Sequence, residues 1–188
     1  MLWLAALVLG LVAGFATGGR IENLGRLRFR WPWLVVVAVV IREATALTPL
    51  NRIDGIQYLY TATLAALVSW CVWNIDRLAG IWLVTAGAAL NLVVIAANGG
   101  RMPVAPELAG TLVQGGHLGQ YTLMTPETRL NWLADWIALP GPMAQLVREA
   151  YSPGDVIVAI GTAVVVLMAM RSSPRPDQSQ ARIVSDPP

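Results

Sequence analysis

Three short stretches of the sequence hold side chains able to do chemistry together. "NGGRMPV", residues 98 to 104, sets Arg101 behind Gly99 and Gly100. A guanidinium beside a glycine-rich turn, whose backbone N–H groups can form an anion nest, suits an anionic headgroup or a carboxylate. "YSPGDV", residues 151 to 156, carries Asp155, and "TPETRLNWLADWIALPGP" carries Glu127 near its start. Both acids stand where a helix begins, so either is a candidate partner for Arg101. Each stretch also has a plainer reading. Asn98 and Gly99 are good residues for ending a helix, because both tolerate a left-handed backbone, and Pro103 forbids its continuation. Ser152, Pro153 and Asp155 form a helix start in which serine and aspartate cap one another. The first motif is not a phosphate-binding P-loop, because the lysine and the spacing are missing.

Further polar residues fall inside apolar runs. Arg42 and Glu43 lie in "VVIREATAL", and Asn91 lies in the run before Asn98. Charges at membrane depth are costly and mark function or pairing. Arg42 and Glu43 are adjacent, so on a helix they need separate partners; Asn91 or a partner subunit are the candidates. His117 is the single histidine, and no second histidine or cysteine accompanies it. A zinc site is therefore not expected. A triad of Ser152, His117 and Asp135 has the right residue types, but nothing like a nucleophile elbow surrounds Ser152. No catalytic residue, cofactor or metal is expected.

The elements that would position these residues follow from hydropathy. The chain has 188 residues, 56% hydrophobic and 13% charged, about half the charge of a soluble domain. All 13 basic residues are arginine, and the net charge of +2 indicates no nucleic-acid surface. Five apolar runs, 2–17, 31–48, 57–73, 81–97 and 153–170, each have about 16 to 18 residues, roughly 25 Å as helix. The expected fold is all-α, a polytopic membrane bundle of about five transmembrane helices. Arg20, Arg26, Arg28, Arg30, Arg77, Arg171, Arg175 and Arg182 cluster on one side of the spans. Arg52, Arg101, Arg129 and Arg148 are spread over longer segments on the other. The positive-inside rule then puts the N-terminus outside and the C-terminus in the cytoplasm. Trp31, Trp33, Trp70, Trp73 and Trp82 fall at the inner boundaries, and Trp3, Tyr58 and Tyr60 at the outer ones, as interfacial aromatics do.

Residues 98–152 form a long outer lid. Thr125 as N-cap, Pro126 and the spacing of Leu130, Leu133 and Ile137 predict an interfacial helix over 126–138. "PMAQLVREA" predicts a second short one. The tail, 171–188, is polar and proline-rich and is expected to be disordered.

"NGGRMP" after an apolar span, "LADWIALPGP" and "PGDV" before the last span together resemble a family of small bacterial multi-pass membrane proteins of unknown function. The resemblance runs over nearly all the chain to Met170. It implies a bacterial inner-membrane protein with an all-helical fold, and no activity or catalytic residue comes with it. The favoured expectation is a non-enzymatic membrane protein binding lipid, a membrane protein partner or a second copy through its lid. The alternative is an enzyme or transporter acting on an anionic lipid-like substrate near Arg101, Asp155 and Glu127.

Overall fold

The computed structural model describes residues 2–47, 53–109, 119–138 and 150–172, excluding the side chains of 42–43 and 45–47. It is mostly helical. The five apolar runs become α1 (Leu2–Ala16), α2 (Trp33–Leu47), α3 (Ile56–Trp73), α4 (Ile81–Ala97) and α5 (Pro153–Arg171). Of these, α3 and α5 are long and apolar enough to cross a membrane, while α1 and α4 are apolar but shorter.

The helices lie side by side in the order α2, α3, α4, α5, α1. Helix α5 is central because small residues let its neighbours approach on both flanks. Toward α4, a Cβ on Gly161 would lie 2.7 Å from the Val84 nitrogen, and one on Gly87 would lie 2.5 Å from the Gly154 carbonyl oxygen. Toward α1, a Cβ on Gly10 would lie 2.8 Å from the Ala163 carbonyl oxygen, and Gly14 is filled over by Met170. Both ends of α1 are tied to α5. The Leu2 N–H donates to the Tyr151 hydroxyl at 3.3 Å, and the Arg20 N–H donates to the Met170 carbonyl at 2.9 Å. These two helices therefore run parallel, with α4 antiparallel between α5 and α3.

This arrangement gives the bundle two distinct ends. The arginine end gathers the 3₁₀ turn Ile21–Arg26, the α3–α4 connection and the close of α5. Here Asn74, fully buried, accepts from the Arg30 N–H at 2.8 Å and donates to the Trp70 and Arg30 carbonyls at 3.0 and 3.4 Å. The Trp70 indole donates to the Arg30 carbonyl at 2.7 Å. Trp31 stacks on Trp33 and meets Trp73 edge-on, and Phe29 tilts against Trp70. The tryptophans expected at one boundary thus share one end.

The lid end carries short strands. β1 (Met102–Val104) pairs in parallel with β2 (Tyr121–Leu123), and β3 (Ile137–Ala138) pairs antiparallel with β4 (Ala150–Tyr151). A parallel bridge between Val104 and Asp135 joins them. Val94 of α4 packs under Met102, Leu133 and Ala134, which seats the lid on the bundle.

The expected helix over 126–138 does not form. A turn, a 3₁₀ segment at Asn131–Leu133 and β3 occupy that stretch, and Leu130 is left-handed at φ 58°. The reason is competition for backbone groups. The Asn98 side chain accepts from the Arg129 N–H at 2.8 Å and donates to the Arg129 carbonyl at 2.9 Å. Thr128 donates to both the Thr125 carbonyl and Asn131 Oδ1 at 2.7 Å. Such local side-chain bonds displace helical ones. Thr125 does cap its turn, accepting from the Glu127 N–H at 3.3 Å, but the turn does not propagate. The second lid helix, apart from its last residue in β4, and the tail beyond Ser172 lie outside the described residues.

Candidate functional site at the lid end

The "NGGRMPV" segment closes α4 and opens the lid. Gly99 and Gly100 take φ of 66° and 88°, and the Gly100 N–H returns to the Ile95 carbonyl at 2.9 Å, the long bond of a Schellman motif. Asn98 is the C-cap residue of α4, and its amide also ties the lid backbone at Arg129 to that helix end. A Cβ on Gly100 would meet Gln57 Cγ at 3.0 Å and Thr61 Oγ1 at 3.3 Å. The strand leading to Arg101 is therefore pinned on the face of α3 formed by positions 57, 60 and 61, three and four residues apart. Pro103 is fully buried in β1, and its carbonyl accepts the Asp135 N–H at 3.0 Å.

At the start of α5 the capping box is complete. Ser152 Oγ accepts from the Asp155 N–H, and Asp155 Oδ2 accepts from the Ser152 N–H, each at 3.0 Å. Asn91 closes the cluster from α4. It donates to Asp155 Oδ1 and accepts from the Ser152 hydroxyl, both at 2.8 Å. Gly154 makes this possible, because a Cβ there would collide with Asn91. Both Asp155 oxygens are thus engaged by neutral donors.

Asp135 stands close to this cluster and differs from it. It is 4% exposed, and its Oδ1 is buried without a partner. Burial first, and the charge of Asp155 second, push its carboxyl from 3.8 to about 8. At neutral pH it therefore holds its proton. Sequence reasoning named Asp135 only as the acid of a triad with Ser152 and His117, and a helix over 126–138 gives no reason for its burial.

Arg101 does not reach the expected acids. Among the described residues no carboxylate lies within ion-pair distance of it, and its Nε is buried without a partner. The Tyr60 hydroxyl, from the α3 face that receives Gly100, is likewise buried and unpartnered. Glu127 is exposed. A hydrogen bond from Thr125, then its own backbone N–H, hold its carboxyl below the usual value. The structure thus gathers Asn91, Ser152 and Asp155, with Asp135 near enough to feel the Asp155 charge. It sets Gly100 against Gln57 and Thr61, while the Tyr60 hydroxyl and Arg101 Nε are each buried without a partner. Asn91 serves Asp155 and Ser152. The side chains of Arg42 and Glu43, and His117, lie outside what is described. Among the described residues no group of three His, Cys, Asp or Glu could hold a metal ion.

Tyr60 and Asn74 were not singled out by sequence reasoning as site or clamp residues. The one signal was placement: each polar group stands near the end of an apolar run, at a helix end where side chains cross to the next segment.

The chain belongs to a family of unknown function (DUF5317), whose pattern matches residues 26–167. No curated protein and no solved structure matches it.

Proposed function

We propose that this family member is a five-span protein of the bacterial inner membrane, N-terminus outside, which binds an anionic lipid or a membrane partner through its lid. The membrane part is supported by large apolar side chains that face outward along the helices. Leu4, Val8, Leu9 and Val12 of α1 and Val36 and Val40 of α2 are all more than half exposed. Water penalises such a surface, whereas lipid requires it.

The single observation that carries the binding reading is the pair of buried donors without acceptors, Arg101 Nε and the Tyr60 hydroxyl. Buried polar groups are ordinarily satisfied. Such donors call for acceptors, and the oxygens of an anionic phospholipid headgroup can supply them. Trp132 and Trp136, exposed at 68% and 49%, suit a lid resting at the headgroup level. The separate engagement of Asp155 and the exposure of Glu127 support a binding rather than a catalytic role.

The test is native mass spectrometry of the detergent-purified full chain with phosphatidylglycerol. Arg101→Lys and Tyr60→Phe are each expected to lower lipid retention, because the planar fork and the phenolic donor are lost. Equal retention by both variants would sink the reading. Reporter fusions after Arg28 and Arg175 test the orientation, and both are expected to read cytoplasmic.

A second reading, an enzyme or transporter acting on an anionic lipid-like substrate, draws on Asp135 alone. A buried carboxyl that titrates near neutrality suits proton-coupled chemistry. It requires that Asp135→Asn abolish a measurable flux while leaving lipid retention intact.

A further inference from the structure

The arginine end holds a cavity that the lid account does not use. It measures about 710 Å³ and is built where α1 ends against the close of α5. Its frame is rigid by construction. The Arg20 N–H donates to the Met170 carbonyl at 2.9 Å, and Asn23 Nδ2 donates to the same carbonyl at 2.8 Å. A Cβ on Gly19 would come within 2.8 Å of Met170 Cβ, so the chain crosses over the end of α5 at van der Waals distance.

The lining combines two chemistries. Phe15, Ile21 and Met170 supply apolar lining and Arg20, Arg26 and Arg171 basic lining, with Glu22 the one acid among the lining residues. Among the described residues, no carboxylate lies within ion-pair distance of any of these three arginines. Phe15 and Ile21 are more than half exposed. Apolar side chains together with guanidinium groups that no described carboxylate pairs match a molecule carrying both an acyl chain and a phosphate.

We propose that this cavity binds the phosphate headgroup of an anionic phospholipid from the leaflet at the arginine end, with Arg20, Arg26 and Arg171 as its charge partners and Phe15 and Ile21 against the upper acyl chain. The site is distinct from the one at Arg101, at the opposite end of the bundle. It rests on the reading that the chain spans a membrane. That reading fails if the full chain stays soluble without detergent; the site fails on the variants below.

A basic residue near an anionic headgroup contributes about 1 kcal/mol, or about fivefold in affinity. The full chain in detergent is titrated with phosphatidylglycerol, with phosphatidylcholine and with inorganic phosphate, with native mass spectrometry as the readout. Two phosphatidylglycerol molecules per chain are expected, both in preference to phosphatidylcholine. Arg20→Gln with Arg171→Gln should weaken one of them by about 25-fold and leave the other, which Arg101→Lys removes, unchanged. The same positions changed to lysine should keep most of the affinity, because an exposed site reads charge rather than the planar fork. Phe15→Ser should weaken the lipid and leave phosphate binding as it was. An unchanged second lipid in the double glutamine variant, or equal binding of the two lipids, overturns the proposal. Inorganic phosphate that binds as tightly as the lipid overturns it too, since the site would then be one for a free anion.

Discussion

Asn74 at the arginine end and Asp135 at the lid end are both buried polar side chains at the margin of the same bundle, and their surroundings differ. Both oxygen and nitrogen of the Asn74 amide are used, on Arg30 and Trp70, and the Trp70 indole is bonded back to the Arg30 carbonyl. Asp135 has an oxygen with no partner and a carboxyl pushed up to about 8. The other unpartnered buried atoms among the described residues, Tyr60 Oη and Arg101 Nε, also lie toward the lid end. A closed network rigidifies, whereas unmet donors and acceptors are retained where something else satisfies them. The Asn74 clamp is accordingly read as architecture, and the lid end as the place where the proposed binding at Arg101 would occur.

The comparison is broken most severely at Asn74. Asn74→Leu removes the acceptor of the Arg30 N–H and the side-chain donor to the Trp70 carbonyl, a loss on the order of 3 kcal/mol, and should lower the thermal midpoint in detergent more than any lid substitution. A silent Asn74→Leu would mean that the clamp is not structural.

Asp135 should act in the opposite sense. Its folded value is raised above the unfolded one, so the folded chain binds more protons between pH 4 and 8. Stability is then fully present below about pH 4 and falls as pH rises toward 8, by up to several kcal/mol in principle. The protection factors of the Ala105 and Met124 amides, both bonded within the lid, should fall across that window once the intrinsic pH dependence of exchange is divided out. Asp135→Asn should flatten the dependence and slow exchange at pH 8. A pH-independent wild type would remove Asp135 from the account.

Smaller effects sharpen the picture of the lid junction. Asn98→Ala removes three bonds, to Val94 and to both backbone groups of Arg129. It should cost about 1 to 2 kcal/mol, at the exposed end of the range for lost hydrogen bonds, and loosen the lid before the helices. Gly99 has open space around it, so only its positive φ matters. Gly99→Val should cost about 1 kcal/mol and Gly99→Asn less, read as the difference in thermal midpoint.

The helices and the Ser152–Asp155 capping box were legible in the sequence, because apolar runs end at glycine, proline and arginine, and a cap is decided within four residues. The lid helix was misread for the complementary reason. Arg129 has its backbone taken by Asn98, some thirty residues earlier, and no local pattern of Leu130, Leu133 and Ile137 can announce that. Asp135 followed the same error, since its burial depends on the bridge to Val104. The motif around Arg101 was half legible. Its helix-ending geometry is local and was expected, whereas the acid expected opposite Arg101 is occupied by Asn91 and Ser152.

The claim that the lid end receives a lipid through Arg101 meets its most direct test in amide exchange of the full chain in detergent, with and without phosphatidylglycerol. Lipid should slow exchange at Met102, Ala105 and Met124 in wild type but not in Arg101→Lys, and leave Arg30 and Asn74 unchanged in both. Equal protection of the lid in wild type and Arg101→Lys, or protection confined to the Asn74 clamp, would contradict it.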